Sequence, residues 1–97
     1  MRIEHRSLRH RDGSVEIRLY FPAHAAWTDR SLPPRRHLTY LALRVEGSLV
    51  VESRLGPAVA PEPFFSFRFD DIPPGSVLRV EWRNNAGEGG ATEIELP

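Results

Sequence analysis

The sequence predicts an all-β protein, an immunoglobulin-like β-sandwich of six to seven antiparallel strands. Three observations predict this fold: apolar and polar residues alternate in each clear hydrophobic segment, turn signals recur about every ten residues, and no segment has the spacing of an amphipathic helix. The 97 residues fit one domain spanning residues 1–97. All nine prolines lie outside the alternating segments, as expected because proline cannot donate to a central strand ladder.

The first half of the chain contains four predicted strands, arranged as two hairpins. Asp12-Gly13 is a dipeptide typical of hairpin turns and joins the first two strands, of which the first is the weaker pattern. Glu46-Gly47-Ser48 is the turn signal between the other two. The four predicted strands cover residues 3–9, 15–21, 41–46 and 49–55.

The second half contains three predicted strands, at residues 64–69, 77–82 and 92–96. Because the chain has no cysteine, burial of Trp82 and of the stripe Phe65, Phe67 and Phe69 is expected to hold the sheets together. Each aromatic contributes about 2–3 kcal/mol when fully buried. After Asn84-Asn85, residues 87–90 are predicted to be a flexible hairpin loop.

Two long connections separate these strands, at residues 22–34 and 56–63. The second is rich in proline, which favours an extended course over ladder pairing. Connections of this length in a small domain are often functional, but each is equally well explained as a crossover between the two sheets.

Composition excludes several classes of function. Without cysteine, the chain cannot supply a thiol nucleophile, a disulfide or a thiolate metal site. Without lysine, it can form neither a Schiff base nor a Walker-type phosphate loop. The net charge of zero argues against nucleic-acid binding. Residues 1–54 nevertheless carry a net charge of +4 and residues 55–97 one of −4, a polarity that could steer a partner.

No apolar stretch approaches the ~18 residues of a membrane span. The first residues contain no apolar region, so the chain is expected to carry no signal peptide of its own.

The sequence predicts no catalytic residue, metal site or cofactor. Asp70 and Asp71 are adjacent at a strand end and are better explained as turn-capping residues than as an acid–base pair. The four histidines lack a metal-ligand spacing, and no serine lies in a nucleophile elbow. Enzyme activity is therefore not predicted.

What remains is a surface of aromatic and arginine side chains. If the inward stripes are assigned correctly, Tyr20, Tyr40 and Phe64 point outward among Arg18, Arg44 and Arg68. These residue types are enriched at protein interfaces, although ordinary cross-strand pairing on a solvated face would produce the same pattern. Trp27, in the first long connection, is either a core plug or an interface anchor.

The order of these signals over residues 13–95 resembles the SoxZ family, the small subunit of the SoxYZ sulfur-carrier complex. The resemblance rests on Phe21-Pro22-Ala23, on the stretch from Pro34 to Gly47, on Gly56-Pro57, and on residues 60–67 and 75–88. The last stretch includes the run Leu78-Arg79-Val80-Glu81-Trp82-Arg83-Asn84-Asn85-Ala86-Gly87-Glu88. Departures from the family pattern fall on polar positions: Phe21 and Arg36 replace histidines, Glu62 an asparagine and Asn84 an aspartate.

The resemblance implies a non-catalytic scaffold subunit that forms a heterodimer with a SoxY-like protein. SoxY carries the sulfur substrate on a C-terminal cysteine during thiosulfate and sulfur oxidation, and family members reach the periplasm by co-export with their signal-bearing SoxY. No cofactor, nucleic acid or membrane is implied. The alternative is a carbohydrate-type binding module in which Trp27, Tyr20 and Tyr40 form a stacking platform. The predicted partner-interface residues are Tyr20, Trp27, Arg36, Tyr40, Arg44, Phe64 and Arg68.

Overall fold

The computed structural model describes residues 3–22, 37–56 and 63–97, which form seven antiparallel strands and no helix. The strands are β1 (Glu4–Arg9), β2 (Val15–Tyr20), β3 (Leu38–Val45), β4 (Ser48–Arg54), β5 (Phe64–Phe69), β6 (Val77–Asn84) and β7 (Gly89–Glu95). One sheet has the order β1-β2-β5 and the other the order β4-β3-β6-β7. The predicted all-β sandwich is thereby confirmed. The described residues contain no helix with the length and hydrophobicity of a membrane span.

The core lies between the two sheets and is built from the strands that have a neighbour on both sides. Alternation gives β2, β3 and β6 one inward row each, because successive side chains of a strand point to opposite faces. These rows are Val15, Ile17 and Leu19 from β2, Leu41, Leu43 and Val45 from β3, and Leu78, Val80 and Trp82 from β6.

Phe21 continues the inward row of β2 and has no exposed surface. Its amide donates to the Pro63 carbonyl at 3.1 Å, and its ring meets Phe65 edge to face at 5.8 Å. This contact joins β2 to the start of β5 on the inside of the sandwich.

The phenylalanine stripe of β5 differs from its prediction. Trp82 is buried, with 7% of its surface exposed, but Phe65, Phe67 and Phe69 are only half-buried. The expectation that these residues hold the sheets together is confirmed for Trp82 and in part for the stripe, whose three rings are partly buried and pack against the core. β5 is the last strand of its sheet, so one side of these rings lacks a neighbouring strand. The rings also stack on each other, with centroids 6.2 and 6.3 Å apart.

One hairpin turn agrees with its prediction from the sequence, and another differs from it. Glu46 and Gly47 have φ of 48° and 83°, the pair of positive values that a tight type I′ hairpin turn requires. Gly89 and Gly90 were expected in a loop but belong to β7, opposite Arg83 and Trp82. The Asn84 side chain closes the preceding turn early, since its Oδ1 accepts the amides of Ala86 and Glu88 at 3.0 Å each.

Arg9 closes one side of the sandwich. Its guanidinium donates to the carbonyls of Pro97 at 2.9 Å and Ile72 at 2.8 Å. Because Pro97 follows β7 and Ile72 follows β5, these contacts tie the end of β1 to segments that follow a strand of each sheet.

Gly89 is required where β7 approaches β6. A Cβ at this position would lie 2.8 Å from the Trp82 carbonyl oxygen, a backbone atom that can move only with its strand. We expect Gly89→Ala to lower the free energy of unfolding by about 1–3 kcal/mol, the usual cost of overpacking.

Urea unfolding followed by tryptophan fluorescence measures this change. Gly56→Ala is the matched control, because a Cβ there meets nothing within 4 Å. The control should change stability by less than about 1 kcal/mol. Equal effects of the two substitutions would contradict the close approach at Gly89.

Candidate partner interface

The predicted interface residues fall on two opposite faces of the sandwich. Tyr20, Phe64 and Arg68 lie on the outer face of the three-stranded sheet, because their inward neighbours point into the core. Tyr40 and Arg44 lie on the outer face of the four-stranded sheet. Trp27 and Arg36 lie outside the described residues. No single flat surface therefore contains all the described members of the predicted set.

Tyr20 and Phe64 are directly opposite each other on β2 and β5. Phe64 is 60% exposed, the highest value among the large apolar residues in the described ranges. A groove of about 300 Å³ runs beside this pair, lined by aromatic, cationic and acidic side chains. We call the surface of Tyr20, Phe64 and the groove the aromatic face. The groove is lined by Glu4, His5, Arg6, Arg18, Tyr20 and Phe64.

The groove-lining residues of β1 were missed at the sequence level. Glu4 lies opposite Tyr20, and Arg6 lies opposite Arg18 in the β1–β2 hairpin. The hairpin turn at Asp12-Gly13 was the available signal, because its length fixes which β1 residues share a face with β2. Two arginines directly opposite each other repel, so an acidic group placed in the groove would be favoured.

Arg68 is held in place by the β1–β2 turn. Its Nε donates to the Ser14 hydroxyl at 2.8 Å, and its Nη2 contacts the Asp12 carboxylate at 3.0 Å. The same carboxylate accepts the Ser14 amide at 2.9 Å and the Ser14 hydroxyl at 2.6 Å. The side chain of Arg68 remains 52% exposed, so it is fixed in position and still available to a partner.

These contacts act on the titration of Asp12. Hydrogen bonds from Ser14, and then the nearby charge of Arg68, lower the pKa of the Asp12 carboxyl below its ordinary value of 3.8. A lowered pKa means that the charged form stabilises the folded chain. The full contribution is present above the pKa that the Asp12 carboxyl has in the unfolded chain. It is lost as the pH falls through the lower pKa that this carboxyl has in the folded chain.

We therefore expect Asp12→Asn to lower the melting temperature near pH 7 and to reduce the loss of stability on acidification. Thermal unfolding of both proteins from pH 7 to pH 2 measures the difference, which should shrink toward the acid end. Glu4→Gln is a control in the same sheet, because Glu4 lies far from this turn, at the opposite end of β1. A constant difference over the whole pH range would contradict the role of the Asp12 charge.

The outer face of the four-stranded sheet is an internal network of polar contacts. The Tyr40 hydroxyl donates to Glu52 at 2.9 Å, which raises the pKa of the tyrosine above 10.0. The guanidinium groups of Arg83 and Arg54 lie 4.8 and 5.9 Å from the centre of the Tyr40 ring. Arg44 pairs with Glu81 at 2.9 Å. This face therefore matches the cross-strand pairing that was left open as an alternative to an interface.

The charge polarity along the chain is not a polarity between the sheets. β5 from the acidic half joins β1 and β2, while β3 and β4 from the basic half join β6 and β7. Each sheet therefore mixes strands from both halves of the chain. Local groups such as the arginines of the aromatic face, rather than the +4 and −4 totals, determine what a partner meets.

A comparison with known families identifies the chain. A model of the family described as sulphur oxidation protein SoxZ matches residues 25–95. The chain belongs to the SoxZ family. It is therefore a sulfur-oxidation protein and a subunit of the Sox complex. Its partner is another protein of that complex. Comparison with curated proteins gives no match.

The SoxZ match covers every strand from β3 to β7 and begins after β2. One departure from the family pattern has a simple structural explanation. Asn84 replaces an aspartate, and the oxygen of either side chain can accept the two amides that close the β6–β7 turn. Phe21, which replaces a histidine, is a fully buried core residue here. Glu62, like Arg36, lies outside the described residues.

Proposed function

We propose that this SoxZ-family chain is the non-catalytic scaffold subunit of a heterodimer with a SoxY-like sulfur carrier. The carrier supplies the cysteine on which sulfur is held during thiosulfate and sulfur oxidation. The present chain supplies no thiol, since it contains no cysteine. Its role is to bind the carrier and present it to the enzymes of the pathway.

The observation that carries the proposal is the aromatic face in a member of the SoxZ family. Phe64, 60% exposed, lies beside Tyr20 and next to the arginines of the groove. Aromatic and arginine side chains of this kind supply most of the binding free energy at protein interfaces. Among the described residues, the opposite face offers no aromatic side chain as exposed as Phe64, since Tyr40 is only partly exposed.

The same geometry weighs against the carbohydrate-binding alternative. A sugar-stacking platform needs its aromatic rings side by side on one surface. Tyr20 and Tyr40 lie on opposite faces of the sandwich. The Tyr40 ring is also flanked by Arg83 and Arg54.

Co-expression with a SoxY-like protein tests the proposal. A tag on this chain should retain the untagged carrier at equal stoichiometry. A carrier whose cysteine is replaced by serine should be retained equally well, because the scaffold contacts do not involve the thiol. Loss of binding with that variant would indicate a thiol-dependent contact and would contradict the scaffold role.

We also propose a periplasmic location, reached by co-export with the signal-bearing carrier. Osmotic-shock fractions should contain this chain only when the carrier retains its signal peptide. Periplasmic accumulation in cells that lack the carrier would contradict co-export.

A further inference from the structure

The free edge of β5 is the least protected of the four sheet edges in the described residues. β5 pairs with β2 on one side and with no strand of the described chain on the other. Its sequence, FFSFRF, contains four phenylalanines, one charge and no proline. A regular apolar edge strand of this kind readily pairs with another strand.

The other three edges carry features that oppose pairing. β1 directs Arg9 inward, where it binds backbone carbonyls at the sandwich margin. β4 pairs with β3 through a register shift between Leu43 and Arg44, a bulge that disrupts a straight edge. β7 begins with two glycines and carries Glu93 and Glu95. Bulges, inward charges and charged edge residues all disfavour addition of a strand.

The register identifies the backbone groups that point away from β2. The Phe21 amide donates to Pro63, so Phe21 and Pro63 are a hydrogen-bonded pair of the antiparallel ladder. Hydrogen-bonded pairs alternate with non-hydrogen-bonded pairs along an antiparallel ladder. The backbone N–H and C=O groups of Phe65, Phe67 and Phe69 therefore point toward β2. The N–H and C=O groups of Phe64, Ser66 and Arg68 face the free edge. A strand is the partner that can bond all of them in register.

The outward side chains of β5 indicate which strand would fit. Ser66 is small, lies opposite Arg18 on β2, and is two residues from Arg68. Both arginines are 52% exposed, and each has more N–H donors than its ion pair with Glu16 or Asp12 uses. An acidic residue opposite Ser66 would complement them. A second copy of β5 has no acid to offer, since its outward residues are Phe64, Ser66 and Arg68.

We propose that the partner subunit adds an extended strand to the free edge of β5, with an acidic side chain opposite Ser66. The inference rests on the proposed pairing with a SoxY-like protein and specifies how that pairing is made. The added strand extends the three-stranded sheet and covers the half-buried rings of Phe65, Phe67 and Phe69. It also lies next to Phe64, so that the edge and the aromatic face form one continuous contact.

Residue-resolved amide exchange by NMR tests the proposal on the full chain, alone and with the SoxY-like protein. In the free chain, the amides of Phe65, Phe67 and Phe69 should be protected and those of Phe64, Ser66 and Arg68 should exchange rapidly. In the complex, the second set should exchange at least about 100-fold more slowly, because hydrogen-bonded strand amides exchange only on opening. The first set serves as an internal control.

Three results would overturn the proposal. The edge amides could already be protected in the dilute free chain, which would show that the chain covers its own edge. Their protection could rise with the concentration of the chain alone, which would indicate self-pairing. They could exchange equally fast in a complex that forms, which would remove strand addition while leaving the proposed function intact. Absence of any complex would overturn both proposals.

A substitution provides a second measurement. Ser66→Pro removes one edge-facing N–H and leaves the ladder to β2 intact, since proline is tolerated where the N–H faces away from the sheet. It should weaken partner binding at least about tenfold, the effect of losing roughly 1.4 kcal/mol. Ser66→Ala should bind as the unmodified chain does. Unchanged binding by a folded Ser66→Pro variant would contradict strand addition.

Discussion

Replacing Tyr20 and Phe64 together by alanine is expected to weaken binding of the SoxY-like partner by about 100-fold or more. Hot-spot aromatic residues typically contribute at least about 2 kcal/mol each, and each 1.4 kcal/mol is a tenfold change in affinity. The two rings lie opposite each other on β2 and β5, beside a groove that offers cationic groups. Isothermal titration of the double variant with the carrier measures the loss.

Tyr40→Ala is the matched control for that experiment. Tyr40 is also an outward tyrosine on a central part of a sheet, but it lies on the opposite face and is engaged with Glu52. We expect this substitution to leave partner affinity within about twofold. Normal binding by the Tyr20/Phe64 variant, with loss of binding by the Tyr40 variant, would move the interface to the four-stranded sheet.

Replacing Phe21 by alanine is expected to remove about 3–5 kcal/mol of folding free energy, the usual cost of deleting a buried aromatic ring. Phe21 has no exposed surface and joins β2 to β5 through its contacts with Phe65 and Pro63. A domain of this size is stable by only about 5–15 kcal/mol, so the variant should melt far below the parent protein. Chemical unfolding followed by circular dichroism measures the change.

Phe64→Ala makes the same chemical change at an exposed position. With 60% of Phe64 exposed, its removal leaves no internal cavity, and the free energy of unfolding should change by less than about 1 kcal/mol. The pair of variants thus separates the two roles of phenylalanine in the chain: Phe21 for folding and Phe64 for binding. A large loss of stability in Phe64→Ala would show that its exposed ring is part of the fold.

The strands could be predicted from the sequence because their alternation and turns are local. Asp12-Gly13 and Glu46-Gly47 each specify a hairpin through a few neighbouring residues. The pairing of β2 with β5 could not be predicted in this way, since the two strands are separated by the long middle of the chain. For the same reason the edge position of β5 was not foreseen, and its phenylalanine stripe was expected to be buried.

The residues of the interface could be predicted by type but not by position. Alternation correctly placed Tyr20, Tyr40 and Phe64 outward, whereas the assignment of β2 and β3 to different sheets depends on long-range pairing. That assignment separates Tyr20 from Tyr40. The contribution of β1 to the groove was missed because its own pattern is weak, with polar Ser7 and Arg9 on the side that faces inward.

The absence of cysteine is consistent with binding to a partner that bears a reactive thiol. A second exposed thiol beside the carrier cysteine could exchange with it and form an unwanted disulfide. In this chain the sandwich is held by aliphatic rows, Trp82 and the contacts of Phe21 instead. Under the proposed function, the reactive sulfur chemistry belongs to the carrier.

Sedimentation velocity of this chain mixed with a SoxY-like carrier tests the central claim most directly. The scaffold account predicts a single species with the mass of a one-to-one heterodimer at micromolar concentration, and no comparable species with an unrelated β-sandwich protein. Two independently sedimenting species, with this chain a monodisperse monomer indifferent to the carrier, would contradict the account.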